Sequence, residues 1–302
     1  MKRALILGSR GGFGGAMAEA LWNTGWELQA YSRGTDMAAA AKGVDLIVNG
    51  LNPPKYNDWA RQIPEITTQV LDAGRRSGAA ILLPGNVYPF GAQPGPWGLA
   101  TPHRPCSRKG RIRSDMEARY RAAADGPREQ QVILLRAGDF LSVDAPMTLM
   151  GQVVMKDLPR GQIMAMGTPD VPRAWAWLPD LARAGARLAA MADRLPTWTE
   201  VPFAGHTFSF ADLADEITRQ TLRPVRITRF PWWSLYLAAP FWELGREVLE
   251  MRYLFETPHR IENGLARWLP DFTGTPFDQV VAAHLARFGS RQVKVNPDRV
   301  MV

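Results

Sequence analysis

The chain's 302 residues are 46% apolar and 22% charged, with 27 Gly and 24 Pro, which excludes a disordered tail or a fibrous repeat and leaves room for one large domain or two smaller ones. The net charge is +7 and 30 of the 36 cations are Arg; this suits phosphate recognition and compositional bias equally, and without a dense Lys/Arg block it gives no support to a nucleic-acid partner. The single cysteine, Cys106, excludes an intrachain disulfide framework or a cysteine zinc cluster and fits a reducing compartment.

Only four apolar residues separate Arg3 from Gly8, too few for a secretory signal, and the longest apolar runs, such as 235–242, fall well short of the roughly 18 residues that cross a bilayer. The expectation is a cytoplasmic protein without a membrane span. Residues 4–7 read as a strand that ends at Gly8, and Ala16, Ala20 and Leu21 mark a helix directly after the glycine cluster. A strand at 26–31, a short helix at 36–41 and a strand at 44–48 follow. The rhythm continues with a helix at 59–73, a strand at 79–83, a helix at 111–124 and a strand at 131–136. Strands alternating with helices predict an α/β fold, a Rossmann-type doubly wound parallel sheet.

After Asp139 the pattern loosens into short strands at 162–166 and 174–177. Leu181, Ala184, Leu188 and Met191 give a helix over 178–195 the apolar stripe that would pack back on the sheet. A strand at 200–204 and helices at 209–221 and 277–288 complete the elements. The division expected is a dinucleotide-binding domain over 1–140, with 174–195 packed on it, and a smaller C-terminal substrate-binding subdomain from 141–173 and 196–302. Trp232, Trp233, Tyr236, Phe241, Trp242 and Tyr253 crowd residues 230–255. Phe241, Leu244, Val248 and Met251 recur at helical spacing after Pro240, so core packing is the first reading and a ligand pocket or partner surface the second.

Gly8-Ser9-Arg10-Gly11-Gly12-Phe13-Gly14 spaces its glycines by three between the first strand and first helix, where backbone N–H groups meet a pyrophosphate and larger side chains would block it. The second strand ends in Tyr31-Ser32-Arg33-Gly34, without the acid that would bond the ribose 2′-hydroxyl of NAD. Ser32, Arg33 and Arg10 can instead surround a 2′-phosphate, so the expected cofactor is NADP, as NADPH.

The order of several further segments resembles the extended short-chain dehydrogenases/reductases, the superfamily of NAD-dependent epimerases, dehydratases and related reductases. They are Asp45-Leu46-Ile47-Val48-Asn49-Gly50, Asn86-Val87-Tyr88-Pro89-Phe90-Gly91, Arg136-Ala137-Gly138-Asp139-Phe140 and Trp177-Leu178-Pro179-Asp180-Leu181-Ala182. The resemblance implies that Gly50, Leu51 and Asn52, with Pro84, Gly85 and Asn86, line the cofactor. The family's Ser, Tyr and Lys are replaced: the serine position falls on Pro84, the tyrosine position on Lys109 and the lysine position on Arg113, while Gly110 and Glu117 keep their places. Lys109 is therefore the expected acid/base, a cofactor ligand as well, with Arg113 one turn on beside it and Tyr88 as a second candidate acid. His103 could share proton transfer, and Arg226, Arg229, Arg246 and Arg252 could meet a substrate anion or lie in solvent. His206, His259 and His284 have no metal-ligand spacing, so no metal is expected.

The leading expectation is an NADP-dependent oxidoreductase acting on a carbonyl or conjugated small molecule, capped by the aromatic C-terminal part. Nucleotide-sugar epimerase or dehydratase activity is a lesser variant, since those reactions rely on the missing Tyr and Lys. A non-catalytic NADP-binding sensor or scaffold is the alternative. A homodimer is one expectation for its assembly.

Overall fold

The computed structural model describes residues 1–53, 58–145, 148–239 and 242–288. The elements begin with β1 (Arg3–Leu7), α1 (Gly12–Trp22), β2 (Glu27–Ala30), α2 (Met37–Ala40), β3 (Leu46–Asn49) and α3 (Trp59–Ser77). They continue with β4 (Ala80–Gly85), α4 (Arg108–Ala124), β5 (Val132–Arg136), β6 (Asp139–Leu141), β7 (Gln162–Ala165), β8 (Arg173–Trp177) and α5 (Leu178–Ala190). The last are β9 (Trp198–Pro202), β10 (His206–Phe208), α6 (Phe210–Thr221), β11 (Arg226–Arg229), α7 (Trp232–Ala238), α8 (Glu243–Leu249) and α9 (Phe277–Phe288).

Six parallel strands form the central sheet in the order β2-β1-β3-β4-β5-β9. Its inner strands β1, β3, β4 and β5 are largely apolar on both faces, as a sheet covered on both sides requires. In β1, Ala4 and Ile6 pack toward α1 and α5, while Leu5 and Leu7 pack toward α2, α3 and α4; Ile133 and Leu135 divide from Val132 and Leu134 in the same way on β5. The period of two therefore feeds two separate cores. The winding reverses between β1 and β3, and the crevice for a ligand in such a sheet opens there, outside the carboxyl ends of the strands.

α5 packs back on the sheet, as its stripe predicts, and also against α1. The helix is shorter than expected, ending at Ala190 before a 3₁₀ turn at Ala192–Arg194. The expected boundary at 140 needs a correction, because β9 pairs with β5 from Val132↔Trp198 to Arg136↔Pro202 and is the sheet's sixth strand. The remaining strands make two small sheets, β10-β8-β6 and β11-β7, over a third core built on Trp175, Phe208, Phe210 and Phe255. Among the described residues no helix is long and apolar enough to cross a membrane.

In the same half His259 is 4% exposed, stacked on the buried Trp97 with ring centroids 4.4 Å apart, and its Nδ1 lies 2.7 Å from the Thr257 carbonyl. Burial, and then the nearby Arg173 guanidinium, push its pKa down to about 4. Between that value and the ordinary 6.5 the unfolded imidazole holds a proton that the folded one refuses, so stability falls as pH drops through this window and is unaffected above it. The loss from this group reaches about 3 kcal/mol, at about 1.4 kcal/mol per tenfold in proton affinity. His103, His206 and His284 are lowered by burial too and add in the same direction. Urea unfolding of the wild type at about pH 7.5 and about pH 5 is expected to show about 2 kcal/mol of this loss, and His259→Gln is expected to show a smaller one.

Candidate functional site

A cleft of about 910 Å³ opens at the reversal of winding. The Gly8 to Gly14 loop forms its floor. Gly8 has φ +79°, and a Cβ on it would stand 2.8 Å from the Gly50 carbonyl oxygen. A Cβ on Gly14 would stand 2.3 Å from the Gly8 oxygen, so helix, loop and the end of β3 touch backbone to backbone at a distance only glycine permits. Gly11 is the N-cap of α1 and supplies no side-chain cap, which leaves the N–H groups of the first turn and the positive end of the helix facing the cleft.

The structure brings most of the expected cofactor residues to this one cleft: Gly8, Ser9, Arg10, Gly11, Gly12, Phe13, Ser32, Arg33, Gly50, Leu51, Asn52, Pro84, Gly85 and Asn86. Gly14 is not among its lining residues and acts behind it, in the close packing of α1 on the loop. Arg10 and Arg33 are exposed and form no ion pair among the described residues. Asp36, the acid nearest the end of β2, caps α2 by accepting from the N–H groups of Ala38 and Ala39 at 2.9 and 3.1 Å. It does not line the cleft. The adjoining wall, from α3, adds Trp59, Ile63, Ile66 and Thr67, which sequence reasoning did not single out although their spacing marks one helix face.

Arg113 lines the cleft. Its Nη2 donates to Asn52 Oδ1 at 2.9 Å, and its guanidinium lies 4.8 Å from the centroid of the Trp59 ring. Lys109 is a correction to the expectation. It is 1% exposed and does not line the cleft; its ammonium donates to Glu250 Oε2 at 2.7 Å and to the Glu247 carbonyl at 3.2 Å, and pairs with the Glu247 carboxylate. Its backbone N–H donates to Glu250 Oε1 at 2.9 Å. Helix α4 starts at Arg108, capped by Ser107, so Lys109 stands in its first turn and is held by Glu247 of α8 and by Glu250 at that helix's end. The acid/base role expected of it has no geometric support.

Tyr88 does line the cleft, in a 3₁₀ turn after β4. Its N–H donates to Asn86 Oδ1 at 3.1 Å, and Gly110 lies so near that a Cβ there would meet the Tyr88 carbonyl at 2.7 Å. Arg136, fully buried, braces this turn. Nη1 donates to the Asn86 carbonyl at 2.6 Å, Nη2 pairs with Glu117 at 2.6 Å and Nε with Glu200 at 2.6 Å. Burial alone would lower its pKa, but Glu117 and Glu200 outweigh burial and hold it raised. Arg173 stands behind the same end of the cleft, paired with Asp139 and stacked 4.1 Å from the Phe255 ring centroid; burial lowers its pKa against the pull of Asp139. His103 lies outside the cleft, 3.6 Å from Glu117 and edge-on to Phe90.

The far end of the cleft is made by Asp139, Phe140, Ala145, Thr148, Leu149 and Leu178. Among the described residues nothing after Leu178 lines it, so the expected aromatic C-terminal cap is not seen here. Pro240 and Phe241, part of the stripe on which the core-packing reading of this stretch rests, and the side chain of Leu244 lie outside the described residues.

No protein-family model matches the chain, and no curated protein does. Many solved structures match. UDP-glucose 4-epimerase from Brucella ovis, in complex with NAD, is 17% identical with a TM-score of 0.73 over 96% of this chain and 99% of that one. MoeE5, in complex with UDP-glucose and NAD, is 14% identical with a TM-score of 0.71 over 95% and 98%. TunA, an NAD-dependent NDP-hexosamine 5,6-dehydratase, is 16% identical with a TM-score of 0.66 over 97% and 99%. The chain shares the fold of these structures over nearly its whole length, and at these identities the likeness speaks for the fold alone.

Proposed function

We propose that the protein is an NADP-dependent oxidoreductase of atypical extended type that acts on a carbonyl or conjugated small molecule. The observation that carries the reading is the mouth of the cleft at the end of β2, where Arg10, Ser32 and Arg33 stand exposed and Asp36 is engaged elsewhere. A ribose 2′-phosphate is the group these two guanidiniums suit. The pyrophosphate would lie over Gly11, Gly12 and Phe13 at the uncapped helix end, with Arg113 and Asn52 toward the ribose. When bound, such a cofactor supplies the hydride. NAD in the Brucella ovis and MoeE5 structures supports a nicotinamide dinucleotide here, and the choice of NADP rests on Arg10 and Arg33.

The proton falls to Tyr88, the phenol on the cleft wall, whose turn is fixed by Asn86, Gly110 and Arg136. A phenol so placed donates to a carbonyl oxygen as charge develops on it. Among the described residues, the cations that line the cleft are Arg10, Arg33 and Arg113. The far end offers Asp139, Thr148 and apolar walls, which suits an uncharged carbonyl or enone better than the diphosphate of a nucleotide sugar. The withdrawal of Lys109 into an ion pair favours the second reading, a non-catalytic NADP-binding sensor or scaffold.

Calorimetric titration is expected to give micromolar binding of NADPH and weaker binding of NADH. Arg33→Ala should weaken NADPH about tenfold and leave NADH unchanged, the loss of one solvent-screened charge-assisted contact. Absence of binding by both nucleotides would remove the cofactor reading, and binding without NADPH oxidation across a carbonyl and enone panel would leave the scaffold.

A further inference from the structure

None of the described residues from Leu222 to Trp242 lines the cleft. The segment's 21 residues hold Arg223, Arg226 and Arg229, six aromatic residues and no Asp or Glu, in a chain with 29 acids. Eight large apolar side chains stand out as exposed in the described structure, and five of them fall here: Leu222 (89%), Trp233 (69%), Tyr236 (55%), Leu237 (70%) and Trp242 (46%). That concentration is what separates a patch from ordinary scattered surface residues.

The geometry of α7 shows that this is a face. Trp232 and Leu235 turn inward: the Trp232 indole donates to the Met166 carbonyl at 2.7 Å and packs on Phe230 and Phe255, while Leu235 is 7% exposed. Trp233, Tyr236 and Leu237 stand at positions i, i+3 and i+4, which share one side of a helix, and they are the exposed set. The helix is thus anchored on one side and presents a tryptophan, a tyrosine and a leucine to the outside on the other. Arg252 ties the two sides, donating to the Tyr236 hydroxyl at 3.1 Å while lying 5.4 Å from the centroid of a Trp232 ring. On the approach to α7, Arg223, Arg226 and Arg229 are exposed and have no ion-pair partner among the described residues.

We propose that this face seats on an anionic lipid surface, with Trp233, Tyr236, Leu237 and Trp242 entering the headgroup boundary and Arg223, Arg226 and Arg229 meeting lipid phosphates. Amphipathic aromatic rings have their preferred level at that boundary, and arginines without an ion-pair partner among the described residues supply the complementary charge that a neutral protein partner would not require. The helix lies on the bilayer and does not cross it.

The test is co-sedimentation of the full chain with vesicles of phosphatidylcholine containing phosphatidylglycerol, against vesicles of phosphatidylcholine alone. The protein is expected to pellet with the anionic vesicles and to be released by high salt. Arg223→Gln/Arg226→Gln/Arg229→Gln should lower the partition coefficient about hundredfold, at about 1 kcal/mol per cation near such a surface. Trp233→Ser/Leu237→Ser should lower it as well, with the circular dichroism spectrum and NADPH binding unchanged. Equal recovery with and without phosphatidylglycerol, or pelleting of the triple Arg variant at the wild-type level, would overturn the proposal. So would light scattering that shows a dimer which Trp233→Ser/Leu237→Ser dissociates, since the face would then be covered by a second copy.

Discussion

Replacing Arg136 with methionine (Arg136→Met) is expected to cost the fold about 3–5 kcal/mol, a large part of a typical domain's stability. The guanidinium is fully buried and is the common partner of Glu117 on α4 and Glu200 on β9, so its removal leaves two carboxylates facing each other beside an apolar core. The cost arises from those stranded charges more than from the value of the ion pairs themselves. Arg136→Met combined with Glu117→Gln and Glu200→Leu should therefore recover most of the loss, because a buried charge cluster and an apolar one of similar volume are close in free energy. Urea midpoints of the two proteins decide it. A single substitution costing under about 1 kcal/mol would show that the network is solvated, and failure of the combined variant to recover would show that the geometry of the cluster matters more than its charge.

The same residue shows what could and could not be seen in the sequence. Arg136 ends a run of four apolar residues, Val132 to Leu135, and that run announces a buried parallel strand. Glu117 drew notice because it keeps its place in a segment similar to the family's. Their meeting, with Glu200 as third member, depends on α4 and β9 flanking β5, a fact of sheet order that periodicity does not contain. The glycine loop was legible because its requirement is local: Gly8, Gly14 and Gly50 are needed wherever three backbones must approach to about van der Waals distance.

Lys109 marks the opposite case. Aligning its segment with the family's placed it at the reactive position, and the rotation of α4 does leave Gly110 against the Tyr88 turn. The direction taken by the Lys109 side chain was decided by Glu247 and Glu250, residues 138 and 141 positions away on a helix whose docking no local pattern records. The aromatic stretch around Trp232 divides similarly. The inward pair, Trp232 and Leu235, behaves as core, while Trp233, Tyr236 and Leu237 do not, and the helical period predicts only that the two sets differ, not which one the protein covers.

With Lys109 withdrawn, the proposed chemistry stands or falls on one phenol. Tyr88→Phe is expected to reduce kcat about 10²- to 10⁴-fold on any carbonyl substrate that supports turnover, the usual worth of a positioned acid. The affinity for NADPH should not change. Phenylalanine keeps the ring, and the backbone turn is held by Asn86 Oδ1 and the Arg136 bond to the Asn86 carbonyl, neither of which involves the hydroxyl. The split between kcat and binding is the informative readout, because a merely structural tyrosine would move both or neither. Arg173 and Asp139 lie close to this end of the cleft as a paired cation and anion, so the hydroxyl works next to a fixed dipole instead of a free charge. Turnover that persists at the wild-type level in Tyr88→Phe would move the proton to solvent in the cleft, and would leave the cleft as a hydride-transfer site without a protein acid.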